Sequence, residues 1–176
     1  MSILLRRREF IRDSQKLMIY DTGKILSGYA IEKGGAYGGG SQRVTDWFFL
    51  NSDHIYIKCY DGTTSNPSGC AFVVTPGLDR EFLSQYSTIN ITAYINYSTY
   101  NHLKNYEVGI YPSTSLVYTN VIKVSKISNK PDTYTFNIND ILTNSAEIFY
   151  IGGGICTQKS YSPGTVGMYI TKIWLE

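Results

Sequence analysis

The chain has 176 residues, 43% hydrophobic and 17% charged, which is enough for one full core and cramped for two. Residues 1–16 hold Arg6, Arg7, Arg8, Arg12 and Lys16 against Glu9 and Asp13, a charge of +3, while the rest carries eleven bases and twelve acids, a charge of −1. A nearly neutral body lacks the basic groove that phosphate binding needs, so no nucleic-acid partner is expected. No run reaches the roughly 20 apolar residues that cross a bilayer, so no membrane partner is expected either.

The N-terminus is too short and interrupted in its apolar part for a signal peptide, so folding in a cytosol is expected. Three arginines in "LLRRREF" sit in an apolar bracket of Ile3, Leu4, Leu5, Phe10 and Ile11, which a solvated tail would not need. Ile3, Phe10 and Leu17 recur at heptad distance, as do Leu4, Ile11 and Met18, but two heptads make no coiled coil. Residues 1–16 are therefore read as a short, helix-prone arm that docks through Arg6, Arg7, Arg8, Phe10 and Ile11, in preference to a frayed basic tail.

From residue 17 onward the pattern has period two. "LMIYD" opens the strands, one follows within 25–32, and "VTDWFFL" comes next. "DHIYIKC" then alternates Ile55, Ile57 and Cys59 against His54, Tyr56 and Lys58, a strand with one wet face. "CAFVVT" is followed by one helical turn near "LDREFLSQY". In "STINITAYINY", Ile89, Ile91, Ala93, Ile95 and Tyr97 face one way and Asn90, Thr92, Tyr94 and Asn96 the other. "YEVGIYP" and "NVIKVSKI" lead to "TYTFNI", with Tyr134, Phe136 and Ile138 in phase, then a short turn at "NDIL" and the strand "AEIFYIG". In the last strand Val166, Met168 and Ile170 share a phase that Ile173 and Leu175 break, so a bulge near Thr171-Lys172 or cover on both faces is expected. Many short strands separated by turn signals such as Asn51-Ser52, Pro76-Gly77 and Pro163-Gly164 predict an all-β, single antiparallel sandwich over residues 17–176.

Chemistry-bearing motifs are sparse. The chain lacks G-x-S-x-G, H-E-x-x-H and a phosphate loop, the arrangements that would mark hydrolase, zinc-protease or nucleotide chemistry. "GGAYGGG" leads into a strand and not a helix, and so reads as a loop. Cys59, Cys70 and Cys156 have no C-x-x-C spacing and are expected to be buried, reduced thiols. Asp61, Thr63, Ser65 and Asn66 offer oxygens without the acidic density of a calcium loop, so a plain hairpin loop is expected over 61–69. No metal, cofactor or enzymatic activity is expected.

The succession "LLRRR", "IYDTGKILSGY", "LSQYSTINITAYI", "TYTFNIND" and "MYITKIWLE" resembles short structural proteins of tailed bacteriophages that infect gut bacteria. The body resembles the jelly-roll sandwich of carbohydrate-binding modules, from which "EKGGAYGGGSQR" departs as an insertion. The resemblance implies a virion component assembled in the bacterial cytoplasm, with other virion proteins, further copies of itself and host surface glycan as its partners. It is read as an exposed tail or capsid appendage held by the arm; the alternative is a capsid decoration or adaptor protein with no ligand.

Successive antiparallel strands alternate between the two ends of a sandwich. That count gathers loops 33–43, 61–69, 98–105, 128–132 and 153–165 at one end, with the arm at the other. Tyr37, Tyr100, His102 and Tyr161 would meet there as sugar-stacking and hydrogen-bonding groups.

Overall fold

The computed structural model describes residues 16–34, 47–61, 69–97, 103–113, 122–125, 127–157 and 164–176. The strands in chain order are β1 (Leu17–Asp21), β2 (Lys24–Ile25), β3 (Ala30–Lys33), β4 (Trp47–Leu50), β5 (Ile55–Asp61), β6 (Gly69–Thr75), β7 (Leu78–Asp79), β8 (Thr88–Tyr97), β9 (Leu103–Tyr111), β10 (Ile122–Ser125), β11 (Asp132–Asn137), β12 (Ile148–Thr157) and β13 (Gly164–Leu175). Among the described residues two single helical turns interrupt them, α1 (Arg80–Leu83) and α2 (Ile138–Ile141). Both stand where the sequence predicted a turn of helix. Asp79 accepts from Phe82 N at 2.7 Å to cap α1, and Asn137 accepts from Asn139 N at 2.9 Å to cap α2, satisfying donors that a helix start leaves open.

Among the described residues the strands form two antiparallel sheets packed face to face. The first runs β11-β8-β13; the far edge of β13 is shared by β5 along its first half and β1 along its second, with β4 beyond β5 and β2 beyond β1. The second runs β10-β9-β12-β6-β3, with β7 against the start of β12. The architecture is thus the expected all-β sandwich. Between the sheets lie Ile19, Ile55, Ile57, Cys59, Ile89, Ile91, Ala93, Ile95, Met168, Ile170, Ile173 and Leu175 from the first, facing Cys70, Phe72, Val74, Val108, Ile110, Ile151 and Ile155 from the second. These are the in-phase residues of the period-two runs, because alternate side chains of a strand reach one face.

The bulge expected in the last strand is present. Ile170 pairs with Ala93 and Lys172 with Thr92, so Thr171 is the extra residue. The slip returns Ile173 and Leu175 to the core that Ile170 already occupies. Thr171 O accepts from Thr22 N at 2.9 Å, which pins the β1–β2 turn to the bulge. In that turn Thr22 has φ 42° and Gly23 φ 87°, a left-handed pair that suits a two-residue hairpin. A Cβ on Gly23 would lie 2.9 Å from Ser52 Cα and closer still to its carbonyl.

One expectation is corrected. Segment 61–69 is not a hairpin loop: β5 pairs with β13 and β4, while β6 pairs with β12 and β3. The chain crosses there from one sheet to the other, because both strands direct an apolar face into the same core. Residues 62–68, including Thr63, Ser65 and Asn66, lie outside the described residues. Cys59, Cys70 and Cys156 are buried and not joined in disulfides, and Cys59 Sγ lies 3.5 Å from Ile155 O across the sandwich.

Candidate functional site

Arg6, Arg7, Arg8, Phe10 and Ile11 lie outside the described residues, as do Tyr37, Tyr100, His102 and Tyr161. The strand ends around them are described. Gly164 pairs with Asp61 and Val166 with Tyr97, and Thr157 pairs with Leu103, next to Cys156 opposite Gly69. Ile95 N donates to Ser128 O at 2.9 Å, bringing the β10–β11 loop to the same end of the first sheet. The chain enters β1 at Leu17, opposite Leu175, at the other end.

The outward face of the first sheet carries an aromatic row. Tyr169 on β13 is the register partner of Tyr56 on β5 and of Tyr94 on β8. Each lies one position out of phase with the buried isoleucines, so all three point away from the core. Tyr94 stacks on Tyr169 with ring centroids 4.7 Å apart and planes 5° from parallel; Tyr56 lies 4.7 Å from Tyr169, tilted by 33°. Neighbouring strands are separated by about the same distance, so direct cross-strand partners meet ring against ring. Tyr56 rests on bare backbone: a Cβ at Gly167 would lie 2.8 Å from its Oη and 2.9 Å from Cζ, and closer still to Cε2.

His54 closes the row at β5, 4.9 Å from the Tyr169 ring. Its Nδ1 is 2.7 Å from Asp53 Oδ1 and its Nε2 is 3.1 Å from Asn51 Nδ2. A ring with its proton on Nδ1 satisfies both, donating to the carboxylate and accepting from the amide. Burial pushes the Tyr56 phenol up to about 12, helped by Tyr169 and a hydrogen bond to it. Burial likewise raises Tyr94, with Tyr169 and Asp53 adding smaller effects. The Tyr56 and Tyr94 phenols are therefore neutral hydrogen-bonding groups near neutral pH.

Because the rings stand side by side, stacking consumes their inner faces, and the outer face of Tyr94 remains at the β8 end of the row. On the β8 side, β11 begins only at Asp132, opposite Ala93, so among the described residues no direct cross-strand partner covers Tyr94. There a pocket of about 180 Å³ opens, lined by Tyr94, Ile95, Asn96 and Asn129. Farther along the same face, Thr92 and Thr133 hydroxyls are 3.0 Å apart, Asn90 Oδ1 accepts from Thr135 at 2.7 Å, and Lys16 Nζ sits 4.1 Å from the centre of the Trp174 ring. The arrangement supplies ring surface flanked by amides and hydroxyls.

Among the described residues no group of three His, Cys, Asp or Glu side chains could hold a metal ion, and no helix is long and apolar enough to cross a membrane. Glu107 is buried and paired with Lys123 at 2.8 Å on the outward side of the second sheet, and Asp21 lies 3.6 Å from Lys172.

The sequence reading placed Tyr56, His54 and Tyr94 on wet faces but passed over them as a site. Their signal was present as tyrosine at an out-of-phase strand position, while their adjacency depends on which strands pair.

No protein-family model matches the sequence, and no curated protein matches it. Solved structures with a similar fold include the family 11 carbohydrate-binding module of the cellulosomal cellulase Lic26A-Cel5E of Clostridium thermocellum, at 13% identity over 92% of this chain and 94% of that one, with a TM-score of 0.46. The family 30 carbohydrate-binding module of cellulosomal cellulase Cel9D-Cel44B of the same organism matches at 10% identity, over 93% and 98% of the two chains, with a TM-score of 0.46. The enzymatically active domain of tailspike protein 4 of bacteriophage CBA120 matches at 10% identity over 85% of this chain, but over 20% of that one, with a TM-score of 0.36.

Proposed function

We propose that this protein is a non-catalytic carbohydrate-binding sandwich whose ligand lies on the outward face of the first sheet. The observation that carries the reading is the row Tyr56, Tyr169 and Tyr94, held in register on three neighbouring strands and flanked by His54, Asn96 and Asn129. Saccharides present apolar C–H faces and hydroxyl edges. Aromatic rings with polar tips and side-chain amides complement both. A rigid sheet holds these groups in place before binding, which keeps the ordering cost low.

The virion setting rests on a different support, the order of sequence segments that resembles short phage structural proteins. In that setting residues 1–16 attach the domain to neighbouring virion proteins, and the sandwich faces host surface glycan. The chain enters β1 at the end of the sandwich away from the Tyr94 pocket, which suits attachment at one end and display at the other.

A glycan array probed with the wild-type chain and Tyr94→Ala tests the binding reading. The wild type is expected to retain a defined set of neutral glycans, and Tyr94→Ala to bind them at least about tenfold more weakly, equivalent to ~1.4 kcal/mol. An array on which the folded wild type binds nothing refutes the reading.

A further inference from the structure

We infer that the pocket beside Tyr94 seats one uncharged sugar ring at the terminus of a glycan, an inference that rests on the carbohydrate reading of this face. Size is the first argument. At about 180 Å³ the pocket is close to a ~150 Å³ cavity that holds benzene and below the roughly 300 Å³ where sites for larger ligands begin. It admits one six-membered ring and no second, a size that the terminal residue of a chain fills.

Lining chemistry is the second argument. Tyr94 contributes the ring face left open by its stack on Tyr169, while Asn96 and Asn129 contribute amides, and among the described residues no charged side chain lines the pocket. Among the described residues neither amide has a side-chain hydrogen-bond partner. Each can donate twice and accept, the pattern that vicinal hydroxyls require.

Rigidity is the third. The loop that carries Asn129 is tied on both sides: Ser128 O accepts from Ile95 N at 2.9 Å, Ser128 N donates to Tyr134 Oη at 2.7 Å, and Lys130 N donates to Ser128 Oγ at 3.1 Å. Asn129 is exposed at the tip of this clamp. The backbone that presents Asn129 is therefore in place before the ligand arrives, which lowers the ordering cost of binding.

The experiment presents wild type, Asn129→Ala and the near-isosteric Asn129→Asp with one oligosaccharide series in three forms: free neutral ends, ends capped by an acidic sugar, and cyclic chains without ends. Free neutral ends should bind. Acid-capped and cyclic forms should bind at least tenfold more weakly, and Asn129→Ala should lose five- to tenfold for free ends. Asn129→Asp, which keeps the shape and loses the amide donors, should lose as much while melting like the wild type. Cyclic chains bound as tightly as free-ended ones, or unchanged binding by both variants, overturn the terminal pocket and leave the tyrosine face standing. Absence of binding by the wild type to any form overturns both.

Discussion

Gly167 is the position at which sheet geometry and site geometry meet, so Gly167→Ala is the most informative single change. One edge of the Tyr56 ring covers the bare backbone there, and a Cβ would come within 2.9 Å of three of its ring and hydroxyl atoms, where ordinary contact begins at 3.4 Å. The ring must shift outward, giving up its 4.7 Å approach to Tyr169. Overpacking of this kind costs about 1–3 kcal/mol, including ~0.5–1.5 kcal/mol for the aromatic pair. At this chain length that lowers the melting temperature by about 2–4 °C per kcal/mol. In a Tyr56→Ala background the space is empty, and the same glycine change should be neutral or stabilising by ~0.4–1 kcal/mol through the unfolded chain. Urea unfolding of the wild type, both single variants and the double variant therefore should give a coupling energy of about 1–4 kcal/mol. Coupling below ~0.5 kcal/mol, the level of independent sites, would refute the contact between Tyr56 and Gly167.

Alkali should act through the same ring. The folded protein holds the Tyr56 proton to about 12 against an ordinary 10.0, so its contribution to stability is intact below pH 10 and lost as pH rises toward 12; Tyr56→Phe should flatten that stretch of a stability–pH curve. Arg80 donates to the carbonyls of Leu142, Asn144 and Ala146 and lies over Phe149, so Arg80→Met should cost ~2–3 kcal/mol in urea unfolding by leaving half-buried carbonyls unpaired. Cys59, Cys70 and Cys156 are buried and form no disulfide, so melts with and without reductant should coincide and a thiol reagent should react only on unfolding. Serine at Arg6, Arg7 and Arg8 should leave the sandwich folded and reduce incorporation into particles, measured by virion composition; unchanged incorporation sinks the docking role of the arm.

Much of the fold was legible because one face of nearly every strand is apolar. Ile89, Ile91, Ala93 and Ile95 announce the core side of β8, and the phase break between Ile170 and Ile173 announces the bulge at Thr171. The role of 61–69 was not legible, because a strand pattern says which face is buried and not which strand lies beside it; a crossover and a hairpin leave the same signature at Asp61 and Gly69. The same limit hid the site. Tyr56, Tyr94 and Tyr169 each read as outward residues, but they lie 38 and 75 positions apart along the sequence, and only the pairing of β5, β13 and β8 joins them. Asn90 also departs from its outward phase: it is 5% exposed, satisfied by Thr88 and Thr135, a covering that period two alone does not encode.

The most direct measurement is backbone amide chemical-shift mapping of the labelled protein titrated with a glycan retained on the array. Saturable shifts are expected to concentrate in residues 54–58, 92–96, 127–131 and 167–171, the strands and loop around Tyr56, Tyr169, Tyr94 and Asn129, and to vanish in Tyr94→Ala. Shifts confined to residues 35–46, 98–102 and 158–163 would move the site to Tyr37, Tyr100, His102 and Tyr161 and contradict the assignment of binding to the sheet face.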